Sequence, residues 1–158
     1  MEAINIAKLI ITKLKNSQKE NDGLIEITSR LKLLKLLYYV QGYHLAKFGK
    51  PLFKENIEAW LHGPVVREVY NWLKPHDDFW LNEQILTDEE IVALGLNDTQ
   101  NELIDDVLKI YNKYSAYGLR DKTHSEQPWL ETYDPENQKK VINNELMASY
   151  FSGFWRDY

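Results

Sequence analysis

"SRLKLLKLLYYVQGYHLAKFGKP", residues 29 to 51, decides the fold. Leu33, Leu37, Val40 and His44 recur at helical spacing, and Leu34, Tyr38 and Leu45 form a second stripe beside them. A helix that is apolar around most of its circumference needs neighbours on several sides, so this segment reads as the central helix of an all-α domain. Thr28 or Ser29 can cap its start. Gly49, with Pro51 just beyond, is a C-terminal stop, which bounds the helix at 30–48. Gly42 inside it costs about 1 kcal/mol relative to Ala and predicts that another backbone passes close by.

Before this segment, Ile4, Ala7, Ile11 and Leu14, widened by Ile6 and Ile10, predict an amphipathic helix over 2–15, and "SQKENDG" reads as a turn. After it, "NIEAWL" alternates Ile57, Ala59 and Leu61 against Glu58 and Trp60 and permits a short strand. In "HGPVVREVYNWLKP", Pro64 suits a first helical position and Gly63 a cap. The expectation is a helix from Pro64 to Pro75 with Val66, Val69, Tyr70 and Leu73 inward and Trp72 flanking them.

Residues 75–86, "PHDDFWLNEQIL", read as irregular. Thr87 and Glu90 have the spacing of a capping box for a short helix ending at Gly95. Asp98 or Thr99 then starts a longer helix with Leu103, Ile104, Val107, Leu108, Ile110, Tyr111 and Tyr114 inward and Glu102, Asp105, Asp106 and Lys109 wet. Ser115 caps "AYGLRDKTH", Pro128 opens a turn at "PWLETY", and Asn143 caps a last helix stapled by Ile142 and Met147. The expected architecture is one compact all-α domain over 1–158, with six to eight helices and at most one short strand pair.

Composition narrows the function. A chain of 158 residues can bury a core without disulfides or metal, and without cysteine it has neither a disulfide framework nor a thiolate zinc site. No basic region followed by an apolar run suggests a signal peptide, and no apolar stretch reaches the roughly 18 residues of a membrane span, so the expectation is a cytoplasmic protein with no membrane partner. The formal charge of -5 hides an asymmetry: residues 1–75 carry 12 Lys/Arg against 7 Asp/Glu, residues 76–158 carry 7 against 17. Either the two halves attract each other within one domain, or one of them meets a partner of opposite charge.

Motifs for catalysis are missing. The seven glycines stand apart, so no Gly-rich loop cradles a phosphate, and none of the six serines sits in a nucleophile elbow. His44, His62, His76 and His124 show no pairing that puts two ligands on one helical face. No cofactor and no enzymatic activity are expected. His124 reads as a histidine at a helix end, donating to terminal carbonyls and packing on Trp129. His62, just before the Gly-Pro pair, is open between a structural and a contact role.

Four stretches carry a resemblance. "KLLYYVQGYHLAKFGKPLF" (35–53), "EAWLHGPVVREVY" (58–70), "YSAYGLRDKTHSEQPW" (114–129) and "INNELMASYF" (142–151) resemble, in order and spacing, the Panacea domain of SocA-like antitoxins and GepA-like phage-associated proteins. The resemblance implies a mostly helical domain from toxin-antitoxin modules and prophages. Such domains neutralise unrelated toxins by direct binding, and at least one relative delivers its toxin to a protease. It brings no catalytic residues. This chain lacks the extra zinc-binding or helix-turn-helix segment of some relatives. The family motif falls on Leu36, Leu37, Tyr38, Trp60, Gly63, Pro64, Tyr70, Thr123, His124, Pro128 and Trp129, most of which read as residues that build the domain.

A binding protein also needs exposed anchors, and aromatic residues make up 13% of the chain. Trp60, His62, Trp72, Phe79, Trp80 and Trp155 are the candidate partner contacts, since aromatic side chains dominate interface hot spots. The principal expectation is an antitoxin that binds a cognate toxin. The alternatives are a nucleic-acid-binding regulator using Arg30, Lys32, Lys35, Lys47, Lys50 and Lys54, and a hydrolase centred on His62 or His124.

Overall fold

The hydroxyl of Ser29 accepts the amide of Lys32 at 3.1 Å, and from that cap α2 (Arg30–Phe48) runs to Gly49, which turns the chain at φ 71° while its amide bonds the Leu45 carbonyl. Every residue from Leu33 to Leu45 is buried, as the all-round apolar pattern requires. The computed structural model describes residues 1–20 and 27–154, excluding the side chains of Lys19 and Glu20.

Around α2 stand α1 (Ala3–Glu20), the hairpin β1 (Glu58–Trp60) and β2 (Gly63–Val65), and α3 (Arg67–Leu73). They are followed by α4 (Asp78–Asn82), α5 (Asp88–Ala93), α6 (Asp98–Tyr111), α7 (Ala116–His124), α8 (Gln127–Thr132) and α9 (Asn144–Ser152). The fold is therefore all-α with one short antiparallel strand pair. Helices α1, α6, α7 and α9 all pack directly on α2. On α6 the buried side chains are Leu103, Ile104, Val107, Leu108 and Tyr111, while Glu102, Asp105, Asp106 and Lys109 face water.

Caps follow local chemistry. Thr87 with Glu90, and Asn97 with Gln100, form capping boxes; Ser115 and Asn143 cap α7 and α9 through their side chains. Ile142 and Met147, on either side of the last cap, are both fully buried.

Several local expectations are corrected. Helix α1 continues through "SQKE" to Glu20, and the rest of that turn lies outside the described residues. Asp77 accepts the amide of Trp80 and starts α4 inside the segment read as irregular, and "PWLETY" is helix α8 with proline in its first turn. The close approach at Gly42 comes from a side chain, the ring of Phe151 on α9, and not from another backbone.

The largest correction concerns the Gly-Pro pair. Gly63 and Pro64 lie in β2, with Ala59 opposite Pro64 and Trp60 opposite Gly63, and α3 begins three residues later at Arg67. Proline's missing amide is tolerated here because β2 is an edge strand, and the φ of 113° at Gly63 explains the glycine. The far edge of β1 is paired instead with 140–142: Ala59 donates to the Lys140 carbonyl and Ile142 to that of Ile57. Leu61, expected inward, is about half exposed at the turn, whereas Glu58, expected outward, is buried. Glu58 tolerates burial because its carboxylate accepts from Arg67 Nη2 at 2.8 Å and from the Trp60 indole at 2.9 Å.

Candidate interaction surface

The hairpin and helices α7 and α8 meet over α2 in a set of buried polar groups. Lys35 is completely buried, and its Nζ donates to the Pro64 carbonyl at 3.0 Å. Burial, reinforced by the charge of Arg120, lowers its pKa to about 7. Sequence reading counted Lys35 among surface cations, and this is a correction: the turn of α2 that carries it faces the hairpin. Thr123 is buried beside it, its hydroxyl bonded to the Arg120 carbonyl, and Gly63 leaves no room for a Cβ between Lys35 and Thr123.

On the next turn of α2, Tyr38 and Tyr39 both donate to the buried carboxylate of Glu126, at 3.2 and 3.1 Å. Burial raises Glu126 to about 7 against the pull of Lys122 and the two tyrosine hydroxyls, and burial next to that carboxylate raises both tyrosines. Tyr39 stacks on Tyr111 with centroids 3.9 Å apart, and the Tyr43 and Tyr111 hydroxyls meet at 2.8 Å. Neither Glu126 nor Tyr39 stood out in the sequence. The only signal was the Tyr-Tyr pair, since two large aromatics in sequence on a buried helix place two hydroxyls in the interior.

Gln41 and His44 complete the polar side of α2. Gln41 bonds the backbone of Leu52 and Phe53, fixing the loop after α2. His44 Nδ1 donates to the Lys50 carbonyl at 2.7 Å, which leaves Nε2 to accept from Gln100; burial holds its pKa below the ordinary value.

The candidate contacts fall into two groups. At the hairpin, Trp60 is half-buried, edge-on to Tyr70 with centroids 4.8 Å apart, and its carbonyl accepts the Trp129 indole at 2.7 Å. His62 is exposed at the turn. His124 packs on Trp129 at 4.2 Å as expected, and burial holds its pKa below the ordinary value, partly offset by the backbone of Leu61 in the hairpin. Leu36, Leu37, Pro128 and Trp129 are buried, so these motif residues hold the hairpin and α8 to α2.

The second group lies on α3 and α4. Trp72 meets Trp80 edge-on at 5.1 Å, His76 stacks on Trp80 at 3.6 Å, and Phe79, on α4 with Trp80, is 68% exposed. A groove of about 410 Å³ runs between the start of α2 and α3, lined by Leu31, Leu34, Tyr70 and Leu73 together with Arg30, Lys74 and Asp78. Trp155 lies outside the described residues.

The basic stripe expected for nucleic acid is broken up. Arg30 pairs with Asp78, Lys32 donates to the Asn112 carbonyl, Lys54 lies 3.7 Å from Glu2, and Lys35 is buried. No helix among the described residues is long and apolar enough to cross a membrane. Among those residues, no three His, Asp or Glu side chains are grouped as metal ligands.

No curated protein and no solved structure matches the chain. The family profile described as antitoxin SocA-like, Panacea domain, matches residues 33–130. The match opens in the buried stretch of α2, takes in the hairpin and the aromatic ridge, and closes in α8 after Glu126 and Trp129. On that match, which spans more than half of its length, the chain belongs to the antitoxin SocA-like, Panacea domain family.

Proposed function

We propose that this protein is an antitoxin that neutralises a partner toxin by binding it directly in the cytoplasm, and that it acts without catalysis. The observation that carries this reading is the family membership of residues 33–130. The surface favours the α3–α4 ridge as the contact. Phe79 on α4 leaves most of its ring in water, a groove with an apolar floor opens between α2 and α3, and exposed aromatic and apolar surface of this kind stabilises an interface when it is buried.

Co-expression tests the proposal. The reading frame adjacent to this gene should arrest growth when expressed alone, and co-expression of this protein should restore it. A Phe79→Ser variant that melts like the parent should restore growth poorly, with roughly 2 kcal/mol or more of lost affinity for the purified toxin. Toxin levels in the rescued cells separate masking, which leaves them unchanged, from delivery to a protease, which lowers them. Rescue by Phe79→Ser at full strength removes the ridge from the interface. A neighbour that is harmless alone removes the antitoxin reading itself.

A further inference from the structure

Side-chain hydrogen bonds lock the start of α2 to α4. The amide and Nε of Arg30 both donate to Asp78 Oδ1 at 3.0 Å, and Arg30 Nη1 donates to the His76 carbonyl. Thr28 and Asn82 exchange a pair of bonds, the Thr28 amide to Oδ1 at 3.0 Å and Nδ2 back to the Thr28 carbonyl at 2.9 Å. Arg30 and Asp78 both line the groove between α2 and α3, so that part of its wall is set before anything enters it. A preformed seat loses little side-chain freedom on binding.

The lining combines apolar surface with one unneutralised charge. Leu34 and Leu73 are buried, whereas Leu31 and Tyr70 are half-buried and keep part of their apolar surface in water. The groove's volume of about 410 Å³ is enough to hold an organic group, since ligand pockets measure roughly 300–1,000 Å³. Among the three charged lining residues, Arg30 and Asp78 satisfy each other. Lys74 is exposed, one helical turn beyond Tyr70, and its ammonium has no hydrogen bond or ion pair among the described residues. Both helices that form the groove belong to residues 1–75, the half of the chain with 12 Lys/Arg against 7 Asp/Glu.

We propose that this groove seats a segment of the partner toxin that inserts a large apolar side chain between α2 and α3 and sets a carboxylate against Lys74. The proposal deepens the antitoxin reading and rests on it. An apolar side chain is the group that gains by covering half-buried Leu31 and Tyr70. The neighbouring charge is acidic because Lys74 is the lining charge left without a partner, and a basic segment would meet it with repulsion.

Binding of the purified product of the adjacent reading frame tests this, with the parent protein and two variants. Leu31→Ser removes apolar lining and should weaken binding about tenfold or more, mainly through faster dissociation. Lys74→Glu reverses the rim charge, so it should slow association and invert the salt dependence: added salt slows association of the parent and speeds that of the variant. One Asp→Lys or Glu→Lys substitution in the toxin should then restore binding to Lys74→Glu. Lys74 is exposed, so this arm stands even if Leu31→Ser folds poorly. Folded variants that both bind like the parent overturn the seat and leave the antitoxin reading intact. A Lys74→Glu variant with the parent's salt dependence, restored by no substitution in the toxin, overturns the acidic occupant. A parent that sediments alone as a dimer and a Leu31→Ser variant that sediments as a monomer would give the groove to a second copy of this chain, and overturn the proposal. If the parent itself neither binds the neighbour nor rescues cells from it, the antitoxin reading falls and this proposal with it.

Discussion

Lys35 and Gly63 compete for the same space: a Cβ added to Gly63 would lie 2.8 Å from Lys35 Cε and 2.9 Å from Nζ. Lys35 cannot swing away without surrendering its bond to Pro64 and leaving a buried amine unpaired. The φ of 113° at Gly63 adds backbone strain for any L side chain. Gly63→Ala should therefore destabilise the protein by about 1–3 kcal/mol, read as a lower urea midpoint at unchanged slope.

Gly42 makes the same point in the centre of α2. A methyl group there meets the ring of Phe151, so Gly42→Ala should lose about 1–3 kcal/mol through overpacking, against a helix-propensity gain of about 1 kcal/mol. Adding Phe151→Leu should restore part of the loss. A double-mutant cycle measures the coupling, and additive effects would show that α9 does not seat its ring on Gly42.

Caps of equal chemistry should differ in global effect. Ser29 caps the buried α2, so Ser29→Ala should lower global stability by about 1 kcal/mol. Thr87 caps α5, which has no buried residue, so Thr87→Ala should raise amide exchange in residues 88–93 and leave the global midpoint nearly unchanged.

Two buried groups give stability a minimum near neutral pH. Burial raises Glu126 from 4.5 to about 7, so the folded protein binds more protons than the unfolded chain between those values, and stability falls as pH rises through that window. Burial lowers Lys35 from 10.5 to about 7, so the unfolded chain binds more protons from about 7 upward, and stability rises with pH there. Glu126→Gln should flatten the acid limb and Lys35→Met the alkaline one. Urea titrations from pH 5 to 9 separate them.

The ridge also predicts a contrast between neighbours. Phe79 is 68% exposed, and Phe79→Ala should change stability by no more than about 0.5 kcal/mol. Trp80 is packed by Trp72 and His76, and Trp80→Ala should lower the melting temperature measurably. Equal melting curves for the two variants would mean that the ridge does not pack as a unit.

Helices, caps and stops were legible in the chain wherever the deciding physics was local. Ser29, Thr87, Ser115 and Asn143 offer an oxygen to an amide two or three residues away, and the alternation of apolar and charged residues along α6 records its buried face directly. The Gly-Pro pair was misread because the same two residues suit a helix start and a strand edge. Only the pairing of 58–60 with 63–65 on one side and 140–142 on the other selects the strand.

The polar interior was hidden for the same reason. Nothing local distinguishes Lys35, buried under the hairpin, from Lys32, whose ammonium reaches the Asn112 carbonyl; three residues of helix put one toward β2 and the other toward α6. Glu126 lies 87 residues from Tyr39, and their bond exists only because α7, which leads into Glu126, is packed on α2. Periodicity and capping, which depend on neighbours a few residues apart, set the helical class, the central position of α2 and most helix starts. Which charges are buried and which aromatics face water depend on contacts dozens of residues apart, and those were decided by tertiary packing.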